Sequence, residues 1–277
     1  MAIFDNHLHL RRDGLFLEAI KFFKKAGGTD FVLCQYPMVD LVLKDKSYKR
    51  CYEKTIKMAD EIRSSIDIGV FVTVGPYPVD YIKLREKFGR EEAIEVMKKG
   101  MEEAAYLCEE KFCIGIGEIG RPHFPVDKTI IEDSNKILSY GMKKAKDVGC
   151  PVILHTESTT TENCKEFVEM AKKVGLPAEK VVKHYSPPLV LEKENYGLMP
   201  SVLASKKNIK TAVKKGTRFM METDYIDDPR RPGAVLGPKT VPRVSKYLLE
   251  NNLISEKSLY KIHKENPEKT YNIEIKG

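Results

Sequence analysis

The chain has 277 residues, 42% of them hydrophobic, and 47 Lys and Arg against 40 Asp and Glu give a formal charge of +7. That length suits one large α/β domain or two small ones, and the apolar content suffices for a substantial core. No apolar run approaches the roughly 18 residues of a membrane span, and no basic segment followed by an apolar stretch and a cleavage site opens the chain, so a cytoplasmic protein is expected.

Ile3 and Phe4 begin a short buried strand. Beyond it His7 and His9 lie two residues apart, so an extended chain points both imidazoles to one side, the geometry of a two-pronged metal clamp. A lone His-x-His pair is more often a polar strand end; here the pattern of an apolar strand ending in a metal-type ligand recurs at Glu118, His155, His184 and Asp224. After the polar loop Arg11-Arg12-Asp13-Gly14, the residues Leu15, Phe16, Ala19, Ile20 and Phe23 recur at helical spacing, and Gly27-Gly28 stops that helix. A second strand is expected at 30–35, a helix at 46–64, and a third strand at 68–74, closed by Gly75-Pro76-Tyr77-Pro78. Residues 79–110 read as two helices broken near Phe88-Gly89.

The fourth strand, 113–117, leads into Glu118-Ile119-Gly120 and the loop Arg121-Pro122-His123-Phe124-Pro125. A helix at 129–148 ends at Gly149, strand five at 151–154 carries His155 at its tip, and a helix follows at 162–174. Strand six, Val181-Val182, ends at Lys183-His184. A weaker strand at 197–203, a helix at 208–215 and an eighth strand at 218–224 precede a long polar loop, 225–239, and helices near 240–250 and 255–265.

Eight strands interleaved with helices predict a single (β/α)8 TIM barrel over residues 1–277, with an open doubly wound sheet as the alternative. The alternative would be expected to carry a Gly-rich phosphate loop after an early strand, and no such motif occurs. Six cysteines, at 34, 51, 108, 113, 150 and 164, form no C-x-x-C pair and read as reduced structural thiols. The modest basic excess suits an anionic substrate without demanding one.

In a barrel the strand ends converge on one face, so ligands spread over more than 200 residues would meet. His7, His9 and Asp224 make one cation site, His155 and His184 a second, and Glu118 is placed to bridge them at the roughly 3.5–4 Å spacing of two-metal sites. Imidazole and carboxylate donors without thiolate suit zinc, manganese or iron, and magnesium where carboxylate oxygens dominate, so one or two divalent ions are expected. Such a pair would bring the pKa of bound water toward neutrality, and Asp224 is the expected acid/base residue, with Glu118 beside it. Arg121, His123, Lys183, Arg230 and Arg231 lie in the same loops as candidate substrate contacts, because guanidinium forks match phosphate oxygens. Glu157 and Asp227 are candidate partners of ligand imidazoles, and His263 reads as structural.

Asp5-Asn-His-Leu-His-Leu10, Gly117-Glu-Ile-Gly120, the Leu154-His155 and His184 strand ends and Met221-Glu-Thr-Asp224 resemble, in that order, the metal-ligand signatures of the TatD-type branch of the amidohydrolase superfamily. Glu265-Asn266-Pro267 resembles the family's closing Asn-containing segment, so the likeness spans nearly the whole chain. The resemblance implies a metal-dependent hydrolase on a TIM barrel, with deoxyribonuclease activity the usual assignment. Three loops depart from the pattern: Arg121-Pro-His-Phe-Pro125, Tyr185-Ser-Pro-Pro188 and Tyr225-Ile-Asp-Asp-Pro-Arg-Arg231. Metal binding carries over better than substrate preference, because those loops would touch the substrate. Hydrolysis of a phosphodiester, in DNA or in a small phosphorylated compound, is the leading expectation. An amide, lactone or deaminase-type hydrolase is the second, and a non-catalytic nucleic-acid-binding protein the third, disfavoured by basic residues interspersed with acidic ones.

Overall fold

The computed structural model describes residues 1–276. In chain order the elements are β1 (Phe4–His9), α1 (Leu17–Lys25), β2 (Asp30–Cys34), α2 (Val39–Asp45), α3 (Lys49–Ser65), β3 (Gly69–Val74), α4 (Asp80–Phe88), α5 (Arg90–Glu109), β4 (Gly115–Gly120), α6 (Lys128–Val148), β5 (Val152–His155) and α7 (Thr161–Val174). There follow β6 (Val181–Ser186), α8 (Glu192–Asn195), β7 (Met199–Leu203), α9 (Lys206–Lys215), β8 (Met220–Glu222), β9 (Tyr225–Ile226), α10 (Thr240–Glu250), α11 (Glu256–Tyr260) and α12 (Asn266–Tyr271).

All strand pairs are parallel, and the order runs β8-β7-β6-β5-β4-β3-β2-β1-β9. No reversal of order occurs, which removes the doubly wound alternative. The barrel closes because the chain changes partner after its eighth strand. The strand expected at 218–224 is shortened to β8, which pairs with β7, and the separate strand β9 pairs with β1 through Leu8–Tyr225 and His9–Ile226. Between them the Asp5 carboxylate accepts the Thr223 N–H at 2.9 Å and its hydroxyl at 2.7 Å, and the Asp224 N–H reaches the His7 carbonyl at 2.9 Å. Residues 225 and 226, expected to be loop, are therefore strand.

Other boundaries moved for local reasons. The helix expected from 46 begins at Lys49, because Lys46 adopts a left-handed conformation that ends the short α2. Helix α7, expected at 162–174, starts where the Thr160 hydroxyl accepts the Asn163 N–H and stops at left-handed Gly175. Inward residues of the strands, among them Phe4, Val32, Ile153, Val182 and Met220, form small apolar clusters together with Tyr271 and Ile275 of the closing segment. The larger core lies between strands and helices. All six cysteines are buried and free. Among the described residues no helix is long and apolar enough to cross a membrane.

Candidate metal centre

Five of the six predicted ligands stand within the last residues of their strands, not beyond them as expected. His7 and His9 are in β1, Glu118 in β4, His155 in β5 and His184 in β6, while Asp224 sits between β8 and β9. Register slips in three of those strands, between Asp5 and Leu8, Gly117 and Ile119, and Lys183 and Ser186. Each slip contains one ligand: His7, Glu118 or His184. A bulge breaks strict alternation and re-aims the side chain at that point. Glycine makes room for the middle one, since a Cβ on Gly117 would lie 2.5 Å from Ile153 Cβ. Gly120, at φ +143, approaches the His155 carbonyl so closely that a Cβ would stand 2.2 Å from its oxygen.

The side chains converge. His7 Nε2 is 3.1 Å from His9 Nε2, 3.7 Å from Glu118 Oε1 and 3.9 Å from Asp224 Oδ1. His9 Nε2 is 3.5 Å from Glu118 Oε2 and 3.7 Å from Asp224 Oδ1. His184 Nε2 and His155 Nδ1 approach Glu118 Oε1 at 3.2 and 2.9 Å. Two ligand groups result, His7–His9–Asp224 and His7–Glu118–His184, with Glu118 within reach of both. The first is the group expected. In the second, His155 is displaced to the margin, where its Nδ1 meets Glu118 and its Nε2 faces His123 Nδ1 at 2.9 Å and the Tyr77 hydroxyl at 3.3 Å.

Supporting contacts fix which imidazole nitrogen faces inward. His9 Nδ1 lies against the Cys34 carbonyl at 3.2 Å, His7 Nδ1 against Cys34 Sγ at 3.2 Å, and His184 Nδ1 against Glu222 Oε1 at 2.9 Å. Each contact leaves Nε2 for the cluster. Glu222 and Cys34 in these supporting roles were not anticipated. Two-residue periodicity, which sets Glu222 on the same side as Asp224, was the available signal for Glu222.

Burial lowers the His7 pKa to about 3, against the opposing pull of Glu118, and lowers those of His9 and His184. All three are neutral imidazoles near pH 7, the form that coordinates cations. Burial would raise Glu118, yet His155, with its hydrogen bond, and His184 and His7 outweigh it and hold the carboxyl well below its usual range. Burial, with Glu222, Glu118 and Asp5 nearby, pushes Asp224 well up. Desolvation likewise raises Asp5 to about 7 and Glu222 to about 8. Four carboxyls at 7% exposure or less thus share a site with one buried ammonium, that of Lys183. Facing nitrogen and oxygen lone pairs with this excess of acidic groups fit a divalent cation.

The predicted substrate contacts divide. Arg121 is buried and fully engaged: Nε donates to Asn135 Oδ1 at 2.6 Å, Nη1 to Glu157 Oε1 at 3.1 Å and Glu166 Oε2 at 3.0 Å, and Nη2 to Glu166 Oε1. Its plane covers the Phe167 ring, so it braces the β4 loop against α7 and has no fork left for a substrate. Arg230 grips Asp228 with two bonds of 3.0 Å. Lys183 donates to the His184 carbonyl, and burial lowers its pKa to about 8. His123, Lys183 and Arg231 do line a cavity of about 440 Å³ over the centre, with Tyr77, Tyr185 and Asp224. Glu157 supports Arg121 and no imidazole. Asp227 instead accepts the Leu15 and Phe16 N–H groups at 2.8 Å each. His263 lies apart, between Phe4 and Ser245.

A closed parallel barrel carrying an imidazole and carboxylate cluster at the C-terminal ends of its strands defines a hydrolase of the metal-dependent TIM-barrel class. Residues 4–272 match the model of the family described as TatD related DNase. The chain belongs to that family. It is 42% identical over 278 residues to the uncharacterized protein MJ1127 of Methanocaldococcus jannaschii, covering 99% of this chain and 97% of the relative. Its fold is similar to a TatD family hydrolase from Entamoeba histolytica, with a TM-score of 0.61 at 12% identity over 98% of this chain and 99% of that one. It is also similar to the phosphotriesterase homology protein from Escherichia coli, whose structure holds phosphate in the active site, with a TM-score of 0.65 at 11% identity over 98% of both chains.

Proposed function

We propose that the protein hydrolyses phosphodiester bonds of a small phosphorylated substrate at one or two divalent cations, zinc first among them. His7, His9 and Asp224 would hold one ion, and Glu118 and His184, with His155 beside them, would hold the other. The observation that carries this reading is the placing of Glu118 Oε1 and Oε2 within 3.7 Å of four imidazoles. When bound, the ions supply Lewis acidity that activates water and polarises the scissile group. Asp224, buried beside the cluster and bordering the cavity, would take up and return the proton as a carboxylate. His123, Lys183 and Arg231 border the cavity where the substrate's charged oxygens would lie. A cavity of about 440 Å³ favours a small ester over a DNA duplex.

A second reading, hydrolysis at the carbon of an ester or lactone, rests on the internal neutralisation of Arg121 and Arg230, which leaves little guanidinium for phosphate. Metal-stripped and zinc-, manganese- or magnesium-reloaded protein is to be assayed on bis(p-nitrophenyl) phosphate, single-stranded DNA, p-nitrophenyl acetate and a γ-lactone. Turnover of the phosphodiester only when reloaded supports the first reading. Turnover confined to carbon esters replaces it with the second, and undiminished activity after stripping ends both.

A further inference from the structure

The cavity over the metal centre has one wall whose conformation local preference does not explain. Tyr185 has φ +52, in the left-handed region that a bulky side chain seldom occupies. It lies in the slip of register between Lys183 and Ser186, where three steps along β6 match two along β7. The backbone is held there from below: the Tyr185 N–H donates to Glu222 Oε1 at 2.6 Å, and the same oxygen receives His184 Nδ1 at 2.9 Å. One buried carboxylate oxygen thus fixes a candidate metal ligand and the residue after it.

The ring delivered by this strained turn is only partly covered. Tyr185 is 49% exposed, among the larger exposed apolar side chains, while its neighbours Lys183, His184 and Ser186 are buried. It borders the cavity, and its ring stands 5.9 Å, centroid to centroid, from the His184 imidazole at an interplanar angle of 70°. Tyr77 and His123 border the same cavity, each with its ring against His155, at 4.9 and 5.0 Å. Backbone strain that places a partly covered aromatic ring beside a reactive centre calls for an occupant of that space. An aromatic surface with this exposure favours a flat, unsaturated partner, by area burial and by ring stacking.

We propose that Tyr185 is a specificity-determining residue, the platform on which a planar unsaturated ring of the substrate, carried on the acidic group that meets the metal centre, is stacked. This rests on the functional reading above only for the identity of that acidic group. The substrate class is a small ester bearing one aryl or nucleobase ring. Tyr185 touches the ring and not the reacting atoms, so it acts on ground-state affinity and selection.

Zinc-loaded protein is titrated calorimetrically with two matched pairs of ligands, phenylphosphonate against methylphosphonate and benzoate against acetate. Thymidine 5′-monophosphate against ribose 5-phosphate forms a third arm that separates a nucleobase from a simple aryl ring. The expected preference for the ring-bearing partner is about tenfold in the wild type, retained in Tyr185→Phe and lost in Tyr185→Ala. Tyr185→Asn, which tolerates the left-handed backbone, is expected to lose it also, which guards against a folding defect in the alanine variant. Zinc titrated alone should bind all four proteins equally. A ring preference unchanged in Tyr185→Ala and Tyr185→Asn overturns the inference and leaves the phosphoester reading intact. Failure of every phosphorus ligand, with a Tyr185-dependent preference for benzoate over acetate, sustains the inference and removes the phosphoester reading.

Discussion

Glu222→Ala tests whether the support beneath the imidazoles sets cation affinity. In the native protein Glu222 Oε1 accepts from His184 Nδ1 at 2.9 Å and from the Tyr185 N–H at 2.6 Å, while Oε2 is buried without a partner. Truncation strands two buried donors, at about 1–3 kcal/mol each, but also removes a carboxyl that burial disfavours enough to raise its pKa to about 8. These effects oppose each other, so the folding free energy should move little. His184, however, loses the contact that fixes its ring orientation. Partners of this kind are worth about 10–100-fold in metal affinity, or ~1.4–2.7 kcal/mol. Competition with a chromogenic chelator should show zinc affinity falling by that factor in Glu222→Ala. It should fall by less than about tenfold in Glu222→Gln, whose amide oxygen still accepts from both donors. A folded Glu222→Ala protein that binds zinc within about twofold of the wild type would refute the link between this support and the centre.

Asp224→Asn should reduce turnover by about 10²–10⁴-fold with unchanged circular dichroism, as loss of an acid/base group does, and measurement of kcat in zinc-reloaded protein checks it. Cation uptake should expel protons: metal-free Asp5 and Glu222, at about 7 and 8, still hold them at pH 6.5, and titration with zinc in lightly buffered solution should acidify it. The sign for stability follows from the same shifts. Carboxyls raised from 3.8 and 4.5 to about 7 and 8 make the metal-free fold progressively less stable as pH rises from 3.8 to about 8, levelling off above that, and thermal melts without metal should fall over that window while zinc-loaded melts do not. Arg121→Lys should lower the melting temperature by several degrees through loss of its forked contacts. KM should change less than twofold, and a large KM effect would return Arg121 to the substrate site. Asp133, lowered to about 2 chiefly by Arg90, contributes stability above 3.8 that disappears as pH falls toward 2, so Asp133→Asn should flatten the acid limb of the unfolding profile.

The convergence of the candidate ligand positions was legible because each follows an apolar run short enough to be a strand, and a barrel brings such ends together whatever their separation. The partners of the loop residues were not. Arg121 reads as a substrate contact until Asn135, Glu157 and Glu166, from 14 to 45 positions away, are seen to occupy its guanidinium. Helices α2 and α8, of 7 and 4 residues, are too short for periodicity to register. The closing Asn266 was singled out only by resemblance. Its amide donates to the Thr217 and Phe219 carbonyls at 2.7 and 2.8 Å, fastening the approach to β8. Bulges escape sequence reading altogether, since a slip of register belongs to two strands and neither sequence alone contains it.

Closure of the barrel and construction of the centre are one event in this protein. Asp5 takes the Thr223 amide and hydroxyl across the seam, and the His7 carbonyl takes the Asp224 amide. The seam has few other ties: β9 is only two residues long, and β8 pairs with β7 rather than with β1. A cation held by His7 and His9 from the first strand and by Asp224 from the last would therefore span a join made by only two strand residue pairs. It would add its binding free energy where backbone pairing is short, and binding to the folded form alone raises stability by mass action. Metal loading should accordingly slow hydrogen exchange most at the amides of residues 223–226, and less at the β3 and β4 amides on the opposite wall.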